Sequence, residues 1–212
     1  MYIPSSFCET DLEVIHDLMR SHPLGLLVTH GASGLMASPI PFLIYSKDGE
    51  NGTLRAHMAR ANPHWKYLSD SVDCLVVFQG AEGYVTPSWY RSKSNTHKVV
   101  PTWNYATVHA WGKPLIVEDT GWLKRQLCDL TKSQEELRSL PWDVNDAPSD
   151  YIATQMKSII GIEIPIDRIE GKWKMSQNKD ESDRTGVVNG MRSESDAHKN
   201  FQVAELVERG LM

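Results

Sequence analysis

The sequence predicts a mainly β protein with peripheral helices, arranged as a small antiparallel barrel. At least six β-like runs follow one another with short turn signals between them, which favours the pairing of neighbouring strands. The longer helical patterns lie at the start of the chain and after residue 118, outside these runs. With 212 residues the chain can bury one substantial core. We expect a single domain over 1–212 with helical additions at about 119–158 and 179–212.

In the first half of the chain the patterns alternate between helix and strand. "TDLEVIHDLMRSHP" has an apolar helical stripe, and "LGLLVTH" and "LMASPIPFLIYS" are strand-like runs joined by the hairpin signal "GASG". "KDGENG" predicts a turn and "TLRAHMA" a third strand. "ANPHWKYL" predicts a helix start, with Asn62 as N-cap and Pro63 in the first turn.

The second half continues the β pattern and then turns helical. "CLVVFQG" predicts a central strand, "GYVTPSWY" an interrupted edge segment with exposed Trp89 and Tyr90, and "RSKSNTHKV" a polar loop. "PTWNYATVHAWGKPLIVE" supplies further strands. Beyond residue 119 we expect a helix, a short helix in "YIATQMKSI", a strand in "IGIEIPIDRIE", a loop in "NKDESDRTG" and a helix at about 196–210.

The composition limits the cellular environments and the binding partners that we expect for this protein. The three cysteines are scattered without a C-x-x-C pair, which fits a reducing cytosol. No apolar run approaches the length of a membrane span, and the first residues lack the pattern of a secretory signal, so we expect a cytoplasmic protein without membrane contact. The net charge of −5 argues against a surface that coats nucleic acid, and we expect no direct binding to it.

The distribution of charge is more informative than its total. The segments 53–69 and 83–117 together hold seven basic residues and no acid. If they meet in the fold, they create a positive field that suits a small phosphorylated ligand. They are equally compatible with solvated strand edges, where lysine prevents aggregation. Charge alone leaves both interpretations open.

Within the first of these segments, "LRAHMARANPHW" leads from a strand into a helix. Period two places Arg55 and His57 on one face, and the chain then passes through Arg60 to the cap at Asn62. A helix N-terminus flanked by Arg60 and His57 would bind an anion. The alternative is an ordinary strand-to-helix joint with a structural cap.

Within the second segment, "VPTWNYATVHAWG" concentrates aromatic residues on one strand. Period two puts Trp103, Tyr105, Thr107 and His109 on one face, which would pack at a dimer interface or line a planar ligand. Elsewhere the sequence shows no set of metal ligands, no G-x-S-x-G, no G-x-G-x-x-G and no P-loop. We therefore predict no metal site, and the sequence identifies no catalytic residue.

Five segments in fixed order point to a known family. They are "MYIP", "HMARANPHW", "YVTPSWY", "VVPTWNYATVHAWG" and "GKWKMSQNKDESDRTGV". From Met1 to about Gly190 the chain resembles the PaiB-like family, the FMN-binding negative transcriptional regulators. The resemblance implies an FMN-binding split β-barrel, similar to pyridoxamine-phosphate-oxidase-type flavoproteins. Such proteins are typically homodimers that hold FMN between subunits.

The resemblance also implies a set of flavin-binding residues. The stretch from His57 to Trp65 matches the position at which split-barrel relatives hold the phosphate and ribityl chain. A strand in "GKWKMSQN" would close the pocket, although a solvated edge strand is the alternative for it. The implied residues are His57, Met58, Ala59, Arg60, Asn62, Trp65, Trp103, Asn104, Lys174, Ser176 and Gln177.

Three functions are consistent with this resemblance. The first is a flavin-dependent oxidoreductase or flavin-linked regulator that acts on an unidentified small molecule, with FMN performing the redox chemistry. The second is a transcriptional regulator or flavin-binding module without catalysis. The third is a haem-binding or haem-handling protein, since some split-barrel proteins bind haem.

Overall fold

A computed structural model describes residues 1–31, 34–68 and 72–210 of the chain. These residues group into two compact units. The central unit contains residues 12–78 and 109–169, and the terminal unit contains residues 1–11, 79–108 and the C-terminal part from residue 170. That one domain spans the whole chain stays a prediction.

The described part of the chain forms strands and helices in alternation. The strands are β1 (Cys8–Glu9), β2 (Leu24–Gly31), β3 (Gly34–Tyr45), β4 (Thr53–Ala59), β5 (Cys74–Val85), β6 (Thr102–Gly112), β7 (Leu115–Val117), β8 (Ile159–Pro165) and β9 (Arg168–Lys174). The α-helices are α1 (Leu12–Ser21), α2 (Ser92–Thr96), α3 (Thr120–Glu135), α4 (Ser149–Met156), α5 (Glu181–Arg192) and α6 (Phe201–Arg209). Short 3-10 helices lie at Ser5–Phe7, Pro63–Tyr67, Pro87–Trp89 and Val144–Asp146. No helix in the described residues is long and apolar enough to cross a membrane.

The central unit is an antiparallel sheet in the order β5-β2-β3-β4-β8-β7. The predicted hairpin of β2 and β3 is confirmed, with Gly31 paired to Gly34, and residues 32 and 33 of its turn lie outside the described residues. β4 pairs with β8 along its whole length. Leu54, Ala56 and Met58 of β4 point inward with alternate residues of β8, and each is at most 3% exposed. Period-two burial therefore fixes the register of this sheet.

One helix of the central unit buries the face that the sequence predicts, and a second helix begins at a side-chain cap. α1 buries Ile15, Leu18 and Met19, which recur at helical spacing. α3 begins after Asp119, whose side chain accepts a hydrogen bond from the Trp122 backbone N–H at 2.7 Å. A carboxylate at this position satisfies a free amide and favours the helix start.

In the terminal unit the strand order is β1-β9-β6-β5, and β5 and β6 contribute residues to both units. α5 and α6 pack on each other through Val187, Met191, Val203 and Val207, all of which are fully buried. The side chain of Arg184 donates to the carbonyl of Val207 at 3.1 Å and ties the helix ends together.

Several local predictions are wrong. The strand predicted in "CLVVFQG" and the separate β segment that begins at "GYV" form one continuous strand, β5, which pairs with β2 and β6 in the sheet. The polar loop contains α2, and the loop expected in "NKDESDRTG" begins α5 after a cap by Asp180, which accepts from the Asp183 backbone N–H at 2.8 Å. The helix expected after Asn62 is a five-residue 3-10 helix.

Candidate functional site

The β4 residues of the predicted set point in different directions. His57 is half-buried, and its Nδ1 lies 2.7 Å from Oε1 of the buried Gln126. Met58 is 3% exposed and belongs to the core, whereas Ala59 is exposed at the strand end. The Nε2 atom of Gln126 is buried without a hydrogen-bond partner among the described residues. The His57 face of β4 therefore has an unsatisfied donor beside it.

Arg60 and Trp65 are brought together at the end of β4. The Trp65 indole N–H donates to the carbonyl oxygen of Arg60 at 2.9 Å, and the backbone N–H of Arg60 donates to the Ser158 carbonyl at 2.8 Å. The Arg60 guanidinium lies 2.9 Å from a carboxylate oxygen of Glu118. The expected free positive charge at Arg60 is thus paired in this structure.

The joint after β4 has the predicted cap. Asn62 Oδ1 accepts from the backbone N–H of His64 at 3.0 Å. His64 is fully buried, and its ring nitrogens lie 2.8 Å from both Thr29 Oγ1 and Ser38 Oγ. Burial lowers the pKa of His64, since the charged form would lose its hydration. These contacts give the joint a structural role, which the sequence analysis left as an alternative.

Arg55 is neutralised as well. Its guanidinium pairs with Asp48 at 3.0 Å and with Glu163 at 2.6 Å, and it lies 4.2 Å from the centroid of the Tyr45 ring. The Tyr45 hydroxyl donates to Asp129 at 2.5 Å. Burial, and then the charge of Asp129, raise the pKa of Tyr45 to about 12. The basic groups of segment 53–69 are therefore largely balanced by acids from other parts of the central unit.

Four residues of the predicted set meet in the terminal unit. The Asn104 amide donates to Ser176 Oγ at 3.0 Å, and both side chains are buried, at 0% and 3% exposure. The Lys174 ammonium donates to Thr102 Oγ1 and to the carbonyl of Trp103. Trp103 itself is 51% exposed. The structure thus places Trp103, Asn104, Lys174 and Ser176 in one cluster.

The strand predicted through "GKWKMSQN" is wrong beyond Lys174, where β9 ends. Ser176 has φ of 62°, in the left-handed region, which turns the chain out of the sheet. The Gln177 side chain closes this turn, because its Oε1 accepts from the Met175 backbone N–H and its Nε2 donates to the Trp173 carbonyl, both at 2.6 Å. The Gln177 amide is therefore used within the turn.

A cleft of about 120 Å³ opens beside this cluster in the terminal unit. Among the described residues that line it there are two lysines and no carboxylate. Five of its eight described lining residues were missed as site residues, namely Tyr90, Val100, Thr102, Asn178 and Lys179. The lining residues are Tyr90, Val100, Thr102, Asn104, Lys174, Ser176, Asn178 and Lys179.

Tyr90 brings a buried hydroxyl to this cleft. The sequence predicted an exposed aromatic, but Tyr90 is only 3% exposed, and its hydroxyl has no hydrogen-bond partner among the described residues. The Lys179 ammonium lies 4.7 Å from the centroid of its ring. Burial, and then the charge of Asp183, raise the pKa of Tyr90, so its hydroxyl stays protonated at neutral pH.

The lysines of the cleft have no carboxylate among the lining residues to balance them. Burial, and then the neighbouring charge of Lys172, lower the pKa of Lys174. Such a lysine gains most from a ligand that brings negative charge. The cleft therefore fits an anionic or oxygen-rich ligand, whereas no group of metal-ligating side chains is found among the described residues.

Local packing holds Tyr90 in place. The chain reaches it through the 3-10 helix Pro87–Trp89, and Asp183 on α5 accepts from both the backbone N–H and the hydroxyl of Ser92, at 2.8 and 2.6 Å. Gly186 of α5 packs so closely that an added Cβ would lie 2.0 Å from the Trp89 carbonyl oxygen. The sequence offers no direct signal for this arrangement, because it depends on contacts between distant residues.

Comparison with known families gives a match over most of the chain. The family model described as "Putative FMN-binding domain" matches residues 1–168. The Bacillus subtilis "Protease synthase and sporulation protein PAI 2" is 32% identical, and the alignment covers 98% of this chain and 97% of that protein. "Uncharacterized protein AN0679" of Emericella nidulans is 39% identical, over 100% of this chain and 98% of that protein.

Solved structures resemble the chain in fold. The flavocytochrome Anf3 from Azotobacter vinelandii has a TM-score of 0.58 at 15% identity, covering 84% of this chain and 75% of that chain. The FAD and haem binding protein from Mycobacterium smegmatis has a TM-score of 0.56 at 17% identity, covering 86% and 80%. The predicted fold, a mainly β split barrel with peripheral helices, is confirmed.

Proposed function

The chain belongs to the FMN-binding family whose domain matches residues 1–168, and from that premise we propose that it is a flavin-dependent oxidoreductase acting on a small molecule. Its cofactor is FMN, as the sequence predicted. Bound FMN supplies the redox chemistry, and the protein contributes binding, orientation and exclusion of water. The alternatives are a transcriptional regulator or flavin-binding module without turnover, and a haem-binding or haem-handling protein.

The observation that carries this proposal is the polar cleft of the terminal unit. An isoalloxazine ring offers nitrogen and oxygen acceptors along one edge, and it is satisfied by donors such as amide, hydroxyl and ammonium groups. Asn104 supplies an amide, Ser176 a hydroxyl and Lys174 an ammonium group. Asn104 and Ser176 are hydrogen-bonded to each other, and Lys174 is bonded to the neighbouring strand β6. The buried, unpartnered Tyr90 hydroxyl beside them shows capacity for a further acceptor.

We assign the predicted residues to roles on this basis. Lys174, Ser176 and Asn104 bind the polar edge of the flavin or the substrate next to it, and the exposed Trp103 ring packs on a flat surface. Gln177 holds the turn that positions Ser176, because its amide is already bonded to the backbone on both sides. The stretch from His57 to Trp65 binds the phosphate and ribityl chain, with Arg60 as its cation.

Spectroscopy of the purified protein tests the function. We expect the two broad near-UV and blue bands of a flavin, whereas a single intense Soret band would favour the haem alternative. Anaerobic mixing with NADH or NADPH should bleach the blue band, and oxygen should restore it. A flavin that binds but is never reduced by nicotinamides would contradict the oxidoreductase and favour the non-catalytic module.

Variants of the turn after β9 test the assigned roles. Ser176→Ala and Lys174→Gln should shift the redox potential or the spectrum of bound FMN, since both remove donors from the cluster. Ser195→Ala is the matched control, because Ser195 is exposed and bonded only to Ser193 among the contacts seen. If the two cluster variants behave like the control, the turn serves the fold alone.

The predicted homodimer is part of this proposal. In the central unit Leu24, Leu26 and Leu35 lie on the outer face of the β2–β3 hairpin and are 63%, 38% and 76% exposed. A contiguous apolar sheet face of this kind is typical of an interaction surface. We expect light scattering to show a dimer and Leu26→Lys to dissociate it, with Leu137→Lys, at a position 95% exposed, as control. A monomeric wild type at micromolar concentration would refute the dimer.

The cytosolic location and the lack of direct nucleic-acid binding stay predictions. The acidic total charge leaves few surplus basic residues for phosphate contacts. A gel-shift assay at physiological salt should show no sequence-specific complex with duplex DNA. A complex competed only by its own site would favour direct regulation.

A further inference from the structure

We propose that the Tyr90 end of the terminal-unit cleft binds an anionic oxygen group, a phosphate or a carboxylate, with the Tyr90 hydroxyl as donor and Lys174 and Lys179 as cations. The proposed function names the Tyr90 hydroxyl only as a spare donor and does not use Lys179, and the inference goes beyond that function because it requires no turnover. The anion belongs to a small-molecule ligand, because the proposed function assigns the phosphate of FMN to the stretch from His57 to Trp65; the cofactor's own phosphate is the competing source that the test distinguishes. Both share the same recognition chemistry.

The first argument is charge. Lys174 and Lys179 both line the cleft, and no described lining residue carries a carboxylate. Lys172 adds to the local field, since its charge lowers the pKa of Lys174. This contrasts with Arg55 and Arg60 of the central unit, each of which pairs with a carboxylate. The carboxylates of Asp180 and Asp183, which act on Lys179 and Tyr90, lie outside the lining. A cleft lined by cations attracts anions.

The second argument is the buried hydroxyl. Burying a hydroxyl without a partner costs free energy, so such groups are rare unless water or a ligand satisfies them. The Tyr90 ring is held by surrounding structure, and its hydroxyl is buried with no partner among the described residues. The raised pKa keeps that hydroxyl protonated, so it can donate to an anionic oxygen.

The third argument is size and shape. The cleft has a volume of about 120 Å³. Pockets that hold whole drug-sized ligands are larger, at roughly 300–1,000 Å³. The cleft fits a substituent instead of a complete flavin or substrate. The Asn104–Ser176 pair, both buried, closes it with further hydrogen-bonding groups. The backbone of Ser176 has a left-handed conformation that non-glycine residues avoid. Such strained residues are common at ligand sites.

Titration calorimetry with inorganic phosphate tests the site on the full chain, flavin-free and FMN-saturated. We expect saturable binding to the flavin-free protein and a loss of about tenfold in affinity for Tyr90→Phe, the effect of one hydrogen bond to a charged group. Lys179→Gln should also weaken binding. Tyr84→Phe and Lys199→Gln are matched controls, because both residues lie in the same unit and neither lines the cleft.

Thermal unfolding separates a binding role from a structural one. Removing an unpartnered buried hydroxyl leaves no orphaned acceptor, so Tyr90→Phe should keep or raise the Tm. A lower Tm would show that the hydroxyl is bonded within the fold, and it would count against the proposal.

FMN and riboflavin titrations identify the source of the anion. If Tyr90→Phe weakens FMN and spares riboflavin, and FMN displaces phosphate, the cleft holds the cofactor's phosphate. If both flavins bind unchanged and phosphate still binds the FMN-saturated protein, the cleft holds the anionic group of another ligand. Phosphate that fails to bind the flavin-free protein, or that binds Tyr90→Phe as well as the wild type, overturns the site. A wild type that binds phosphate but no flavin would refute the proposed function and leave this site standing.

Discussion

Two regions of the molecule that gather basic residues differ in how those charges are balanced. The segment 53–69 has no acid of its own, yet Arg55 meets Glu163 and Asp48, and Arg60 meets Glu118. The cleft of the terminal unit combines Lys174 and Lys179 with no carboxylate among its described lining residues. An acid-free stretch of sequence therefore does not guarantee an acid-free surface.

The difference has a physical reason. Charges interact through space over a few ångströms, so a carboxylate more than 50 residues away in sequence neutralises an arginine as well as a neighbour does. Arg55 is held within the fold by its carboxylate partners, and Arg60 must release Glu118 before it can bind a ligand. Among the described residues no carboxylate lines the cleft, so its lysines face a ligand directly.

The largest expected effect concerns the glycines that support the two regions. An added Cβ at Gly186 would lie 2.0 Å from a backbone oxygen of Trp89, whereas one at Gly161 would meet the Trp122 ring at 2.4 Å. Gly186→Ala should lower the free energy of unfolding by about 3 kcal/mol, and Gly161→Ala by about 1–2 kcal/mol, because a ring shifts more easily than the backbone of the 3-10 helix that holds Trp89. Denaturant unfolding measures both.

Gly121→Ala is the control for these substitutions. Its added Cβ would find its nearest atom, a side-chain oxygen of Asp119, at 3.2 Å. We expect this helix substitution to be neutral or to stabilise the protein by up to about 0.5 kcal/mol. If Gly186→Ala behaves in the same way, the close packing of α5 on Trp89 that positions Tyr90 is not real.

The second prediction asks whether the paired Arg60 still serves a ligand. Arg60→Ala should weaken FMN binding by about 1.5–3 kcal/mol, the range for a charge-assisted hydrogen bond, and riboflavin binding much less. Glu118→Gln should strengthen FMN binding, since it removes the competing carboxylate. Quenching of flavin fluorescence gives both affinities. Equal effects on FMN and riboflavin would show that Arg60 serves only the fold. Arg60 would then differ from the cleft lysines, which we propose bind a ligand.

The third prediction uses pH to test the structural role of the 57–65 region. Burial holds the pKa of His64 below its ordinary 6.5, so the unfolded chain takes up a proton before the folded protein does. Stability from this group is present at neutral pH and is lost as the pH falls from about 6.5 toward the folded pKa. Unfolding curves of wild type and His64→Gln should converge with acidification.

The exposed His97 provides the control for that titration. His97→Gln should leave the pH dependence of stability unchanged, since its side chain is exposed at the end of α2. A His64→Gln variant with the same pH dependence as the wild type would mean that burial of His64 does not govern acid stability.

The smallest effect compares two left-handed residues of the terminal unit. His97 has φ of 56° and Ser176 has φ of 62°. His97→Gly should stabilise the protein by about 0.5 kcal/mol, because glycine adopts this conformation without strain. Ser176→Gly should instead destabilise it by about 1 kcal/mol, because Asn104 loses a buried partner. Stabilisation by both would show that the Ser176 hydroxyl contributes nothing to the cleft.

The sequence by itself determined the elements whose signal is local. Three features depend only on residues that are close together in the sequence. They are the apolar stripe of α1, the period-two burial of β4 and the Asn62 cap. The segments "VPTWNY" and "GKWKMSQN" indicated the family, and the family match confirmed the cofactor. The resemblance implied that Asn104 and Ser176 both bind the flavin, but it did not imply the hydrogen bond between them.

Only the tertiary structure decided the character of the two basic regions. The partners of Arg55 and Arg60, the burial of Tyr90 and the end of β9 at Lys174 all depend on residues far apart in sequence. Charge pairing and burial are properties of distances in space, and a pattern read along the chain carries no such distances. Continuous β5 shows the same limit, since the sequence predicted two separate β segments where pairing with neighbouring strands forms one.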